Sequence, residues 1–170
     1  MTGRRDSGGA AVGENVKAAV GENPKIGDEL PELTIPVTRT LIVSGAIASR
    51  DYQDVHHDPV ASREKGSPDI FMNILTTNGL VGRYITDHFG AGTILRKVAI
   101  RLGAPNYPGD TMVLTGAVEQ VDGDTATVRV VGANAIGKHV TGTVTVTVPG
   151  GGTVPGAVTV PGGAPAGGAA

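Results

Sequence analysis

From Thr93 to Val148 the chain keeps to a two-residue period, and this restricts its fold more than any other feature. Ile94–Leu102, Thr111–Val121, Thr125–Ala135 and Lys138–Val148 each alternate apolar and polar residues and are rich in Val, Ile and Thr, the chemistry of half-buried strands. The joints between them are turn formers: Pro105-Asn106-Tyr107-Pro108-Gly109-Asp110, Asp122-Gly123-Asp124 and Ile136-Gly137. Asp122-Gly123 in particular is a strong hairpin signal. Four strands joined this closely run antiparallel, and their shared apolar face has to be buried against another element.

That element lies just before them. Ser67 and Asp69 open a helical pattern over about Ile70–Phe89, with Ile70, Ile74, Val81 and Ile85 on one stripe, widened by Phe71, Leu75, Tyr84 and His88. Gly79 and Gly82 each cost about 1 kcal/mol relative to Ala in a helix interior, which implies close approach of neighbouring groups and a helix buried on more than one side. Upstream, Thr34–Val43 is β-branched and alternating, so a first strand is expected there; Pro36 places it at an edge or a bulge. Ser44-Gly45 ends it, and Ala46–Ser49 has room for one helical turn. Pro59–Gly66 reads as a short helix capped by Asp58, with Pro59 first and Gly66 closing. The order strand, short helices, long helix, four strands predicts an α+β domain with one long helix wrapped by a five-stranded antiparallel sheet.

The ends differ from this middle. Ala10–Asn15 recurs as Ala18–Asn23, and Val146–Gly151 recurs as Val158–Gly163. The first repeat interleaves Gly, Asn and charge, and after Val148 the chain runs into Gly, Pro and Ala, so neither end has enough apolar surface to offset ordering. The expected layout is a disordered tail over 1–25, a domain over 26–149 and a disordered Gly/Pro/Ala-rich tail over 150–170. The net charge of -2 comes from interspersed acids and bases, so no basic stripe argues for nucleic acid. No apolar run approaches the roughly 18 residues of a membrane span. Arg4-Arg5 is followed by Asp6-Ser7-Gly8-Gly9 rather than an apolar stretch, unlike a twin-arginine signal. There are no cysteines, which excludes disulfides and thiolate metal sites and suits a cytoplasmic protein. With two Phe, three Tyr and no Trp, core and pocket alike must be aliphatic.

The densest chemistry is Arg50-Asp51-Tyr52-Gln53-Asp54-Val55-His56-His57-Asp58, on the connection ahead of the long helix. Asp51 and His56 are close enough in sequence to turn into one cavity, and a carboxylate with an imidazole can move a proton from water to carbon. The bland alternative is a turn-capping Asp51 and a satisfied core His56. A metal site on His56, His57 and Asp58 is disfavoured, because adjacent side chains in extended chain point apart. Asp54 and Asp58 read as turn and cap residues, and the isolated His88 and His139 as surface or core histidines.

The pattern Asp51-x-x-x-Val55-His56-x-Asp58, followed by Ala61, Gly66 and a loop into a long apolar helix, resembles the hydratase motif of the MaoC-like (R-specific enoyl-CoA hydratase) family. Over Arg50–Asp58, Asp69–Leu75 and Arg101-Leu102-Gly103 the likeness extends to the small-subunit group of actinobacterial steroid side-chain enoyl-CoA hydratases, and it spans about residues 28–148. It implies a hot-dog fold and addition of water to the α,β double bond of a steroid side-chain acyl-CoA, in degradation of the cholesterol side chain. Asp51 and His56 would be the catalytic pair with water between them. A backbone N–H at Asn73, in Met72-Asn73-Ile74, would polarise the thioester carbonyl where the family usually has glycine, and Gln53-Asp54 replaces the usual Asn-Pro. The resemblance implies no separate cofactor, since CoA is part of the substrate. It also implies a second MaoC-like chain bearing a zinc-ribbon/OB-fold domain as heteromeric partner, and a thiolase-like aldolase as a further one. The rivals are a hot-dog thioesterase and a non-catalytic scaffold subunit. Thioesterases of this fold usually carry a carboxylate on the central helix, which the stripe here lacks, and a scaffold has no need of the Asp51–His56 pair.

Overall fold

The computed structural model describes residues 23–148. In chain order its elements are strand β1 (Glu29–Val37), helix α1 (Arg39–Ala48), a single 3₁₀ turn (Asp54–His56), helix α2 (Pro59–Glu64), helix α3 (Ile74–Phe89), and strands β2 (Ile94–Leu102), β3 (Asp110–Asp122), β4 (Thr125–Ala133) and β5 (Lys138–Thr147). The strands form one antiparallel sheet in the order β1-β3-β4-β5-β2. Of the expected tails, all but residues 23–25 lie outside the described residues.

The period-two segments fold as their alternation requires. Met112, Leu114 and Val118 of β3, Ala126, Val128 and Val130 of β4, and Val140, Val144 and Val146 of β5 are buried against Val81, Tyr84 and Ile85 of α3. Fully burying an aliphatic side chain of this size is worth about 1.5–3 kcal/mol, so a core nearly free of aromatics suffices. Gly123 sits at φ 59 in the β3–β4 hairpin, the left-handed backbone that its turn demands. Pro36 lies on β1, an edge strand with a register shift between Leu30 and Leu33, where a missing N–H costs little.

Three local expectations are overturned. The first strand stops at Val37, and Thr40–Val43 is helical. The Thr38 hydroxyl caps α1 by accepting from the Leu41 N–H at 3.0 Å, and a four-residue step buries Ile42 and Ala46 on one face. Burial of that face outweighs the β preference of Ile42 and Val43. Secondly, α3 starts at Ile74 rather than Ile70. Ile70–Asn73 is extended: the Phe71 N–H donates to the Val55 carbonyl at 3.2 Å and the Met72 N–H to the Asn106 carbonyl at 3.0 Å. Asp69 is held instead by a two-pronged bond from Arg39, at 3.1 and 2.7 Å, and the Asn73 side chain takes the cap. Thirdly, α3 is covered on one side only. Ile74, Leu75, Asn78, Gly79, Arg83 and Asp87 are exposed; a side chain at Gly79 would meet nothing, whereas one at Gly82 would come within 3.3 Å of Leu95.

Candidate active site

Asp51 is placed by the way α1 ends. Ser49 is the C-cap; the Arg50 N–H then donates to the Ile47 carbonyl at 3.0 Å, and the Asp51 N–H to the Ala46 carbonyl at 2.9 Å. These are the paired bonds of a Schellman close, with Arg50 at φ 58 in the left-handed position usually given to glycine. A side chain there costs on the order of 1 kcal/mol, strain held next to the carboxylate.

His56 comes from the 3₁₀ turn, anchored by the segment ahead of α3. Its Nδ1 lies 2.7 Å from the Phe71 carbonyl, and its ring meets the Phe71 ring edge-on at 5.1 Å. A carbonyl only accepts, so Nδ1 carries the hydrogen and Nε2 faces the other way. There it meets Asp51: Nε2 is 3.4 Å from Oδ2, with the His56 side chain 7% and the Asp51 side chain 18% exposed. The two groups converge at the edge of solvent, as the sequence reading expected.

Asn73 completes the cluster in a way the sequence reading missed. The family resemblance points to its backbone N–H, but its side chain reaches Asp51: Nδ2 is 3.0 Å from Asp51 Oδ2 and 2.9 Å from Ser49 Oγ, while Oδ1 accepts from the Thr76 N–H at 3.0 Å. Among the described residues no acceptor takes the Asn73 backbone N–H. The available signal was the preference of Asn for a helix N-cap, which would also have placed the start of α3.

The remaining acids and imidazoles are engaged elsewhere. Asp54 pairs with Lys65, whose hydrogen bond holds its carboxyl below the usual range. Asp58 caps α2, accepting from the Val60 and Ala61 N–H groups at 2.8 and 3.1 Å. His57 is exposed with Nε2 3.3 Å from the Tyr52 carbonyl, so His56, His57 and Asp58 do not converge. His139 is a core residue: Nδ1 donates to the Ala104 carbonyl at 2.6 Å, and Nε2 lies 2.8 Å from the Thr77 hydroxyl. Burial pushes its pKa down, so it is neutral and accepts from Thr77. His88 is half-buried and shifted the same way by burial.

A family profile described as MaoC like domain matches residues 22–148. The 3-oxo-4,17-pregnadiene-20-carboxyl-CoA hydratase beta subunit of Mycobacterium tuberculosis is 47% identical over 123 residues, which is 72% of this chain and 95% of that protein. The crystal structure of the ChsH1–ChsH2 complex from Mycobacterium tuberculosis superposes with a TM-score of 0.72 at 47% identity, covering 73% of this chain and 98% of the matched one. The (R)-hydratase of A. caviae involved in PHA biosynthesis, 18% identical, superposes with a TM-score of 0.70 over 76% of this chain and all (100%) of that one, a likeness of fold.

Proposed function

The chain belongs to the MaoC-like domain family, with its hot-dog fold, and on that premise we propose that it is the catalytic subunit of an enoyl-CoA hydratase acting on a steroid side-chain acyl-CoA. The observation that carries this reading is the approach of Asp51 Oδ2 to within 3.4 Å of a His56 Nε2 whose ring is pinned from behind by the Phe71 carbonyl. Such a pair, sharing one proton, binds a water on its open side, within reach of both members. As the water oxygen bonds to the β carbon, one member takes the water proton and the other gives its own to the α carbon on the same face. Return of the proton across the pair resets the site. The Asn73 N–H, at the amino end of α3, polarises the thioester carbonyl during this step.

Tyr52, Ile74 and Leu75, which adjoin Asp51 and Asn73 in the chain, are 68%, 49% and 48% exposed. A bulky apolar acyl group covers such residues. The partner in the proposed assembly is a second MaoC-like chain with a zinc-ribbon/OB-fold domain, and a thiolase-like aldolase consumes the β-hydroxyacyl product. The working unit is residues 26–149, and its setting is the cytoplasm; among the described residues no helix is long and apolar enough to cross a membrane.

The buried side of α3 presents Thr77, Val81, Tyr84 and Ile85 and no carboxylate, which disfavours thioester hydrolysis. The test uses the full chain with its partner and an enoyl-CoA, following enoyl-thioester absorbance and free thiol together. Hydration removes the absorbance without thiol; release of thiol, or no change in either, would overturn the assignment.

A further inference from the structure

Asn73 is 2% exposed, and its side-chain amide makes three hydrogen bonds. Its orientation follows from the network. The Thr76 N–H can only donate, so the atom beside it is Oδ1, and the atom facing Asp51 is the Nδ2 donor. One Nδ2 hydrogen goes to Asp51 Oδ2. The other goes to Ser49 Oγ, whose own hydrogen is taken by the Gly45 carbonyl at 2.7 Å. A single buried side chain thus ties the end of α1, the start of α3 and the carboxylate oxygen nearest His56.

Resting on the hydratase reading, we propose that the Asn73 side chain is a positioning residue that fixes Asp51 as the ionised, proton-accepting member of the pair and leaves His56 as the proton donor. A neutral donor at 3.0 Å from Oδ2 favours the carboxylate over the carboxylic acid. With Asp51 ionised, the shared proton rests on His56 Nε2. The carboxylate then takes the proton of the attacking water as the water oxygen bonds to the β carbon. The double-bond electron pair moves toward the thioester, and the imidazolium Nε2–H supplies the hydrogen at the α carbon. The proton on Asp51 passes back to His56, and nothing else is consumed.

The charged surroundings leave this role to Asn73. Within 4 Å the only basic side chain at the Asp51 carboxylate among the described residues is His56, and the Gln53 N–H donates to its Oδ1 at 3.5 Å. The α1 side offers Ser49 and the exposed Arg50, which makes no ion pair among the described residues. From the 3₁₀ turn, Asp54 is engaged by Lys65 and His57 lies near the Tyr52 carbonyl; from α3 come only the neutral Asn73 and Thr77.

The test compares the wild-type complex with Asn73→Asp and Asn73→Leu. Asn73→Asp keeps an oxygen to cap Thr76 but turns an oxygen toward Asp51; Asn73→Leu removes donor and cap together. Two readouts are taken on each: the pH–rate profile of hydration, and the titration of the Asp51 carboxyl carbon by ¹³C NMR, assigned with Asp51→Asn. Loss of a hydrogen bond to a charged group moves the acid limb of the hydration profile to higher pH in Asn73→Leu, and further in Asn73→Asp. On the acid limb of the wild-type profile, kcat falls about tenfold with KM nearly unchanged. If both variants keep the wild-type midpoint and acid limb, the proposal is overturned, whatever their stability. If the wild-type complex fails to hydrate, the function reading falls, while the NMR titration still decides whether Asn73 sets the ionisation of Asp51.

Discussion

Asp51 and His56 are read easily from the sequence because they lie five positions apart on one connection, so local chain geometry alone brings them together. The groups that hold them come from farther away. The Phe71 carbonyl is 15 residues beyond His56, and the Asn73 amide 22 residues beyond Asp51. No local periodicity reports a contact between a carbonyl in an extended segment and a ring on a distant turn, and so the support of the pair was not legible. The pair itself carries a direct prediction. Asp51→Asn keeps the shape and the bond geometry but removes the charge; His56→Ala removes the ring. Each lowers turnover by about a hundredfold or more, as expected when a proton-transfer group is lost. Neither residue lies on the sheet or on α3, so the assembly is expected to survive both changes, which light scattering of the complex checks alongside the rate. Near-full activity in either variant would contradict the role assigned to that residue.

At the scale of elements, the four later strands and α2 fold as their patterns predict, since period two and a Pro-led, Asp-capped turn are local signals. Thr40–Val43 was not legible for a definite reason: its β-branched residues favour strand locally, and only burial of Ile42 and Ala46 makes it helix. That helix is set against α3 by a close contact, since a Cβ at Gly45 would run into the side chain of Thr76, whose hydroxyl is buried and without a hydrogen-bond partner. Gly45→Ala is therefore expected to destabilise the domain by about 1–3 kcal/mol, through overpacking. Thr76→Ala, which removes the obstructing hydroxyl and methyl, restores most of that loss in the double variant. Urea unfolding of the two singles and the double measures the coupling, and strict additivity would show that the contact is not what separates the helices. A second joint links β5 to α3 through the neutral His139. Its folded pKa is lowered by burial, so below about 6.5 the unfolded chain binds a proton that the native state does not. Stability then rises with pH across that window and is lost as pH falls through it. His139→Gln should flatten the slope between pH 7.5 and 5.5 without abolishing it, because His88 is shifted in the same direction. An unchanged slope would mean His139 is protonated in the fold.

The whole molecule is left half covered. Its sheet buries one side of α3, while the other side shows Ile74 and Leu75 to solvent. The two sheet edges are also unequal. β1 carries Pro36 and a register shift, devices that blunt an edge. At the opposite edge β2 pairs, among the described residues, only with β5, and even its core-facing Val98, Ile100 and Leu102 are only half-buried, with Ile94 and Leu95 48% and 39% exposed. A strand so placed suits pairing with another chain that continues the sheet and covers the open side of α3. This makes β2 the expected joint of the proposed heteromer. Replacing Ile94 and Leu95 together by Lys alters exposed positions, so the circular-dichroism melt of the chain alone should shift by only a few degrees. The dissociation constant of the complex, read by sedimentation velocity, should rise by about tenfold or more, since truncating apolar anchors at an interface centre weakens binding on that scale. Hydration should fall with the fraction assembled and recover at high partner concentration. Unaltered assembly in this variant would exclude the β2 edge as the joint and turn attention to the exposed side of α3.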